Sequence, residues 1–327
     1  MRVLLLSVVL FLCATVSLAQ TVDQDDVIRV ETDVTNLPFT ATDKEHRFIT
    51  TLRAEDLRVL EDGVPQTLFT FQRETDRPLS IAFLIDVSFS QEVTLPAEKA
   101  AARTFIERVI QSNKDQVALI PFTGFAYLEQ PMTRDLLSVY RVLQQIEVAA
   151  PAYLGSGRPL TGIRTGPGLP GPPVEASTAI WDAVGLTSTN VLANAGGLRR
   201  RAIILLTDGI NTSSRLSQKD AINRVLAAEA VVYAIGIGSE RDGLDRNALR
   251  ELAQHTGGRA FFPDKKFDLN AAFAEIEQEL RTQYLIAYSS TNKKRDGSYR
   301  KITIELTNPA LKKEKLEIRH RPGYYAK

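Results

Sequence analysis

Between Pro78 and Arg281 the chain alternates short apolar runs with longer amphipathic stretches. This alternation constrains the fold more than any other feature. Leu79 to Ile85, Gln116 to Ile120, Arg201 to Leu206 and Val231 to Ile235 are apolar at nearly every position. A strand with one wet face alternates polar and apolar residues, whereas a continuous apolar run is covered on both faces. The intervening segments carry helical spacing. Ala102, Phe105, Ile106, Val109 and Ile110 share one face of a helix predicted over 91–111. Further helices are predicted over 135–146, over 217–229 with Ser217 as its cap, and over 244–255 and 267–281. The expected architecture is α/β, a Rossmann-like doubly wound, mostly parallel sheet.

The flanks read differently. From Val27 to Arg73 the pattern is strand-like, with Ile28, Val30, Val34 and Leu37 among polar neighbours. Leu57–Leu60 and Leu68–Phe71 flank Asp62-Gly63, which predicts a hairpin. After Tyr284 the helices stop, and strands are predicted over 284–288, 300–306 and 316–320, with a turn at Asp296-Gly297. Two β pieces of this size, folded apart, would bury little core. Residues 27–77 and 282–327 are therefore expected to pack together as one β-rich, sandwich-like domain, with residues 78–281 inserted as the α/β domain. The Gly- and Pro-rich stretch from Ala149 to Val174 has no periodicity and reads as a binding loop or a disordered insertion.

Residues 1–19 read as an export signal: Met1-Arg2, an apolar core from Val3 to Leu12, and small residues before a cut after Ala19. Cys13, the only cysteine, lies inside it, so the mature chain is expected to have no disulfide. After cleavage no segment is long and apolar enough to cross a bilayer. The expected location is periplasmic or extracellular. With a formal net charge of +1 there is no electrostatic case for a nucleic-acid partner.

Asp86, Ser88 and Ser90 form a D-x-S-x-S triplet where the first apolar strand ends. Strand ends of this kind are where open α/β sheets bind ligands. Carboxylate and hydroxyl oxygens suit a hard cation such as Mg²⁺. Taken alone, the triplet reads more readily as helix-capping chemistry. Two further segments join it. Ser177-Thr178-Ala179-Ile180-Trp181-Asp182-Ala183 opens a helix, and Leu206-Thr207-Asp208-Gly209 ends another apolar strand. In a parallel sheet the ends at Asp86 and Asp208 lie on one edge, so carboxylates and hydroxyls can converge there. Asp182 reads as support for the Thr178 loop, Glu175 as solvated, and Asn211 to Ser214 as turn and cap residues.

These three segments, in this order, resemble the von Willebrand factor type A domain and its metal-ion-dependent adhesion site. The resemblance runs from Pro78 to Arg281. It implies Asp86, Ser88, Ser90, Thr178 and Asp208 as metal ligands, with Ser88 and Ser90 binding directly and the two aspartates often through water. Phe89 stands where the family usually has Gly, and Ser177 where Gly often precedes the threonine. Leu57 to Gln66, Gly257 to Phe262 and Arg321 to Tyr325 resemble a bacterial subfamily common in acidobacteria. The implied cofactor is a divalent cation, Mg²⁺ first, with Mn²⁺ or Ca²⁺ as alternatives. The implied function is binding of a protein partner whose Glu or Asp side chain completes the coordination, with the last helix, over 267–281, coupled to ligand state.

Enzymatic roles find little support. His46, His255 and His320 stand away from any candidate nucleophile, and no Gly-Lys-Ser/Thr phosphate loop is present. No general base or phosphate clamp joins the triplet. A non-catalytic binding module is expected. The rivals are a structural subunit of an envelope complex and a metal-dependent hydrolase.

Overall fold

A computed structural model describes residues 34–73, 77–149, 158–159, 177–238, 243–263 and 269–326. The export signal, Cys13, Ile28, Val30, Glu175, Phe267 and all of the Gly/Pro-rich stretch except Ala149 and residues 158–159 lie outside them. Chain order runs β1 (Val34–Thr42), β2 (Leu57–Glu61), β3 (Val64–Pro65), β4 (Leu68–Arg73), β5 (Leu79–Asp86), α1 (Leu95–Val109), β6 (Gln116–Phe122), β7 (Tyr127–Leu128), β8 (Gln130–Thr133) and α2 (Leu136–Gln145). It continues through β9 (Arg158–Pro159), α3 (Ile180–Thr187), β10 (Arg200–Thr207), α4 (Gln218–Ala227), β11 (Ala230–Gly236), α5 (Arg246–Thr256), β12 (Ala260–Phe261) and α6 (Leu269–Thr282). The chain closes with β13 (Tyr284–Ser289), β14 (Tyr299–Leu306), α7 (Pro309–Glu314), β15 (Glu317–His320) and β16 (Gly323–Tyr325).

The central sheet has the order β12-β11-β10-β5-β6-β8. Every pairing in it is parallel except β6 with β8 at the edge. Successive side chains of a strand point to opposite faces, and the core divides accordingly. Ile81, Phe83 and Ile85 of β5 pack with Phe105 and Ile106 of α1 and with Phe273 and Ile276 of α6. Ala82 and Leu84 pack with Ile180 and Val184 of α3, Val225 of α4 and Leu252 of α5. A strand covered by helices on both faces must be apolar throughout, and for that reason β5 is buried along its whole length.

Two four-stranded sheets, β15-β1-β13-β4 and β16-β14-β2-β3, mix early and late segments of the chain. They share one core, in which Leu37, Phe39, Tyr284 and Ile286 of the first meet Val59, Ile302 and Ile304 of the second. Phe39 stacks on Tyr284 with centroids 5.0 Å apart. Buried Glu61 accepts hydrogen bonds from Tyr288 and Tyr324, each at 2.9 Å, and pairs with buried Arg300 at 3.3 Å. The mixed α/β core with added antiparallel sheets agrees with the expected fold class.

Local expectations needed correction in three places, the first being that a short helix, α7, forms after Tyr284, with Asn308 capping it and Pro309 in its first turn. Asp62-Gly63 does turn the chain, with φ of 50° and 81°, but the hairpin it closes is β2 with β3. β4 crosses instead to the other sheet and pairs with β13. Helix α1 begins at Leu95 rather than residue 91, because Pro96 occupies its first turn, where a missing N–H costs nothing, and Phe89–Gln91 wind as a 3-10 turn.

Candidate metal centre

Asp86 is the last residue of β5, and Asp208 follows β10 directly. These strands are neighbours, and Ile85 stands opposite Leu206. Both carboxylates therefore leave the sheet at its C-terminal edge. Asp86 is fully buried. Its Oδ1 accepts from the Ser88 N–H at 3.0 Å and its Oδ2 from the Thr207 hydroxyl at 2.6 Å. Burial pushes the Asp86 carboxyl up to about 6; the Ser88 and Thr207 hydrogen bonds oppose the shift, and the charge of Asp208 adds to it.

A chain of hydroxyl contacts joins the two strand ends. Ser88 Oγ lies 3.0 Å from Ser90 Oγ, and Ser90 Oγ donates to Asp208 Oδ2 at 2.8 Å. Asp208 Oδ1 accepts from the Ile210 N–H at 3.0 Å. Between them Gly209 takes φ +80°, and a Cβ there would stand 3.1 Å from the Asp245 carbonyl. The T-D-G sequence thus lets the chain turn tightly behind the carboxylate.

Thr178 lies on the adjoining loop. Its N–H donates to Thr212 Oγ1 at 2.7 Å, and its carbonyl accepts from Thr212 N at 2.9 Å. Among the described residues its hydroxyl makes no hydrogen bond to Asp86, Ser88, Ser90 or Asp208. Hydrogen bonds and hydroxyl contacts link those four, whereas Thr178 is joined to the loop that follows Asp208, through Thr212 and Ser213. Asn211 and Ser214 fix this loop by capping α3 from outside, accepting from Ile180 N at 3.0 Å and Trp181 N at 2.9 Å. Asp182 holds the other end, accepting from Arg215 N and Leu216 N. These residues act as supports, in line with their reading from sequence.

Three participants carried no sequence assignment. Thr207 ties β10 to Asp86. Buried Gln91 points its amide at Asp208 Oδ2, 3.4 Å away, and is steadied by Thr94 at 3.0 Å. Glu98, in the first turn of α1, is 1% exposed, and neither carboxyl oxygen has a hydrogen-bond partner among the described residues. Burial pushes Glu98 up to about 8, the nearby Thr94 hydroxyl opposes this, and the charges of Asp86 and Asp208 add to it. Its signal in the sequence was a carboxylate on an otherwise apolar helix stripe, three residues after Leu95 and four before Ala102.

The donor set suits a hard divalent cation. It offers hydroxyls and two mutually repelling carboxylates held by neutral groups, with a third, unpartnered carboxyl in their field. Among the described residues no group of three or more His, Cys, Asp or Glu forms a conventional metal cluster, so any ion here depends on hydroxyl oxygens.

A family profile described as "VWA: von Willebrand factor type A domain" matches residues 173–279. A protein of Borreliella burgdorferi described as uncharacterized is 25% identical over 240 residues, 71% of this chain; the match spans 61% of that relative's length. A solved aerotolerance-related membrane protein from Bacteroides fragilis is 22% identical, covers 62% of this chain and 98% of its own, and superposes with a TM-score of 0.45. Proximal thread matrix protein 1 from the mussel byssus, solved with a zinc-occupied MIDAS motif, is 16% identical, covers 68% of this chain and 50% of its own, and reaches a TM-score of 0.51. At 16% identity the likeness to the mussel protein speaks to the fold alone, and the profile match marks residues 173–279 as similar to a von Willebrand factor type A domain.

Proposed function

We propose that this chain is an exported, divalent-metal-dependent protein-binding module, with Asp86, Ser88, Ser90, Thr178 and Asp208 as the metal ligands. The observation that carries the reading is the Ser88–Ser90–Asp208 contact chain, which gathers two strand ends around buried Asp86. A bound Mg²⁺ would supply an electrophilic centre with an exchangeable position for a partner's Glu or Asp carboxylate. The chain's own residues prepare that position. Thr207 and Gln91 orient the carboxylates, and Asn211 and Ser214 hold the Thr178 loop in register with Asp208.

The rim supports a protein as partner. Phe89, between the two serines, is exposed, as are Val93 on the same loop and Phe125. Phe125 belongs to the turn whose Thr123 carbonyl accepts from Ala179 N, next to Thr178. Exposed large apolar side chains beside a charged centre are the composition of an interface core. Export rests on the Met1–Ala19 signal, and among the described residues no helix is long and apolar enough to cross a membrane. We assign the binding role to residues 78–281, and a supporting role to the β segments within 27–77 and 282–327. A pull-down from the native envelope tests the proposal. Partner capture should disappear with chelator and equally with Asp86→Ala; capture indifferent to both would overturn it.

A further inference from the structure

One buried acid has no task in the metal centre as described. Glu98 stands in the first turn of α1, 1% exposed, on the stripe that otherwise presents Leu95, Ala101, Ala102 and Phe105 to the core. Among the described residues no donor and no cation pairs with either of its carboxyl oxygens. The charged groups acting on it are Asp86, at the end of β5, and Asp208, just after β10, both of its own sign. An unpaired carboxylate in an apolar layer is costly to keep charged. In the empty site Glu98 therefore holds its proton, and burial with the two aspartates pushes it up to about 8.

A short relay joins Glu98 to the ligands. Its N–H donates to the Thr94 carbonyl at 3.0 Å. The Thr94 hydroxyl acts on the Glu98 carboxyl and donates to Gln91 Oε1 at 3.0 Å. The Gln91 amide in turn points at Ser90 Oγ, 3.5 Å away, and at Asp208 Oδ2, 3.4 Å away. A hydroxyl has one proton to give. Thr94 can serve Gln91 or an ionised Glu98, and not both at once. The charge on Glu98 is thus felt at the amide that steadies Asp208.

We propose that Glu98 sets the charge of the metal centre: a neutral acid while the site is empty, and an outer carboxylate when a divalent ion is held, with one proton leaving for each ion taken up. This role presupposes the metal site proposed above. Glu98 is a positioning residue and not a ligand, because Asp86, Asp208 and Glu98 form no three-acid cluster able to share an ion. On uptake the O–H bond of Glu98 breaks, the electron pair stays on the carboxylate and the proton passes to solvent. The dication then stands in the field of three carboxylates instead of two. A singly charged ion offsets less of that ionisation, so the arrangement favours divalent over monovalent cations. A carboxyl kept only for packing would stay protonated whether or not the ion is bound.

Calorimetric titration of the full chain with MgCl₂, in two buffers of different ionisation enthalpy, tests the role. At pH 7 Asp86, raised only to about 6, is already largely ionised. Wild type is expected to release about one proton per Mg²⁺ at pH 7, and to bind about fivefold more tightly at pH 8. Glu98→Gln keeps the shape and the neutral charge of the empty state. It should bind Mg²⁺ with little proton release and with an affinity that no longer changes over this range. Glu98→Asp, which keeps a carboxyl, should restore the release. Equal release by wild type and Glu98→Gln, or Mg²⁺ binding by wild type with no proton released, would overturn the proposal and leave the metal site standing. No Mg²⁺ binding by wild type would overturn the metal site and this role with it.

Discussion

The two edges of the central sheet carry opposite charge. At the C-terminal edge stand Asp86, Asp208 and, beneath them, Glu98; at the N-terminal edge stand Arg77, Arg199, Arg200, Arg201 and Arg321. The sign at each edge follows from the fold. Helices of a doubly wound sheet aim their N-termini at the strand C-ends and their C-termini at the strand N-ends, so acids suit one edge and cations the other. The amount of charge does not follow from the fold. At the acidic edge, half-charges at helix ends do not balance two mutually repelling carboxylates, and that is the charge a divalent cation would neutralise.

The largest expected effect concerns the acidic edge without metal. Glu98 has an ordinary carboxyl value of 4.5 and is pushed up to about 8 in the fold. Between these values the folded chain keeps a proton that the unfolded chain has released. Its contribution is fully present below 4.5 and is lost as pH rises towards 8, by up to about 1.4 kcal/mol per pH unit. Asp86, raised to about 6, acts in the same direction over the lower part of the window. Denaturant unfolding in chelator should show stability falling from pH 5 to pH 8, with Glu98→Gln flattening the slope by an amount on the order of a few kcal/mol. Equal slopes in the two proteins would remove Glu98 from the account of this edge.

Gly257→Ala should disturb the basic edge alone. Left-handed backbone costs a residue with a Cβ about 1–2 kcal/mol, and the new Cβ would press on Arg321. Stability should fall while the response to Mg²⁺ stays as in wild type. Asn211→Ala is the converse and smaller change. Losing an α3 cap costs about 1 kcal/mol, and metal affinity should weaken. If Gly257→Ala weakened the Mg²⁺ response as much as Asn211→Ala does, the two edges would not be independent.

The smallest effect expected is transmission between them. Helix α6 enters β13 after a single intervening residue, and buried Glu279 on it pairs with Arg319 of β15 at 3.4 Å. Hydrogen exchange should slow modestly across residues 269–285 when metal and partner bind. Unchanged exchange would confine the metal's influence to its own edge.

The acidic edge was largely legible in the sequence and the basic edge was not. Asp86, Ser88 and Ser90 sit one, three and five residues beyond Ile85, and Asp208 two beyond Leu206, so locating the strand ends located them. Thr178 was found through its motif, while Thr207 and Gln91 were passed over because a hydroxyl and an amide there carry no local pattern. Glu98 was visible as a polar interruption of an apolar stripe. The run Arg199-Arg200-Arg201 was equally visible, but Arg321 joins it only through long-range packing that no local pattern encodes. The misassigned hairpin has the same cause. Asp62-Gly63 specifies a turn, and tertiary pairing decides which strand follows it.

The most direct test of the metal centre is thermal unfolding of wild type and Asp86→Ala during titration with Mg²⁺ or Mn²⁺. At a hundred times the dissociation constant, bound metal adds about 2.7 kcal/mol, roughly 5 °C for a domain of this size. The account predicts that rise in wild type and none in Asp86→Ala, with Ser90→Ala showing a reduced response. Equal rises in wild type and Asp86→Ala would contradict it.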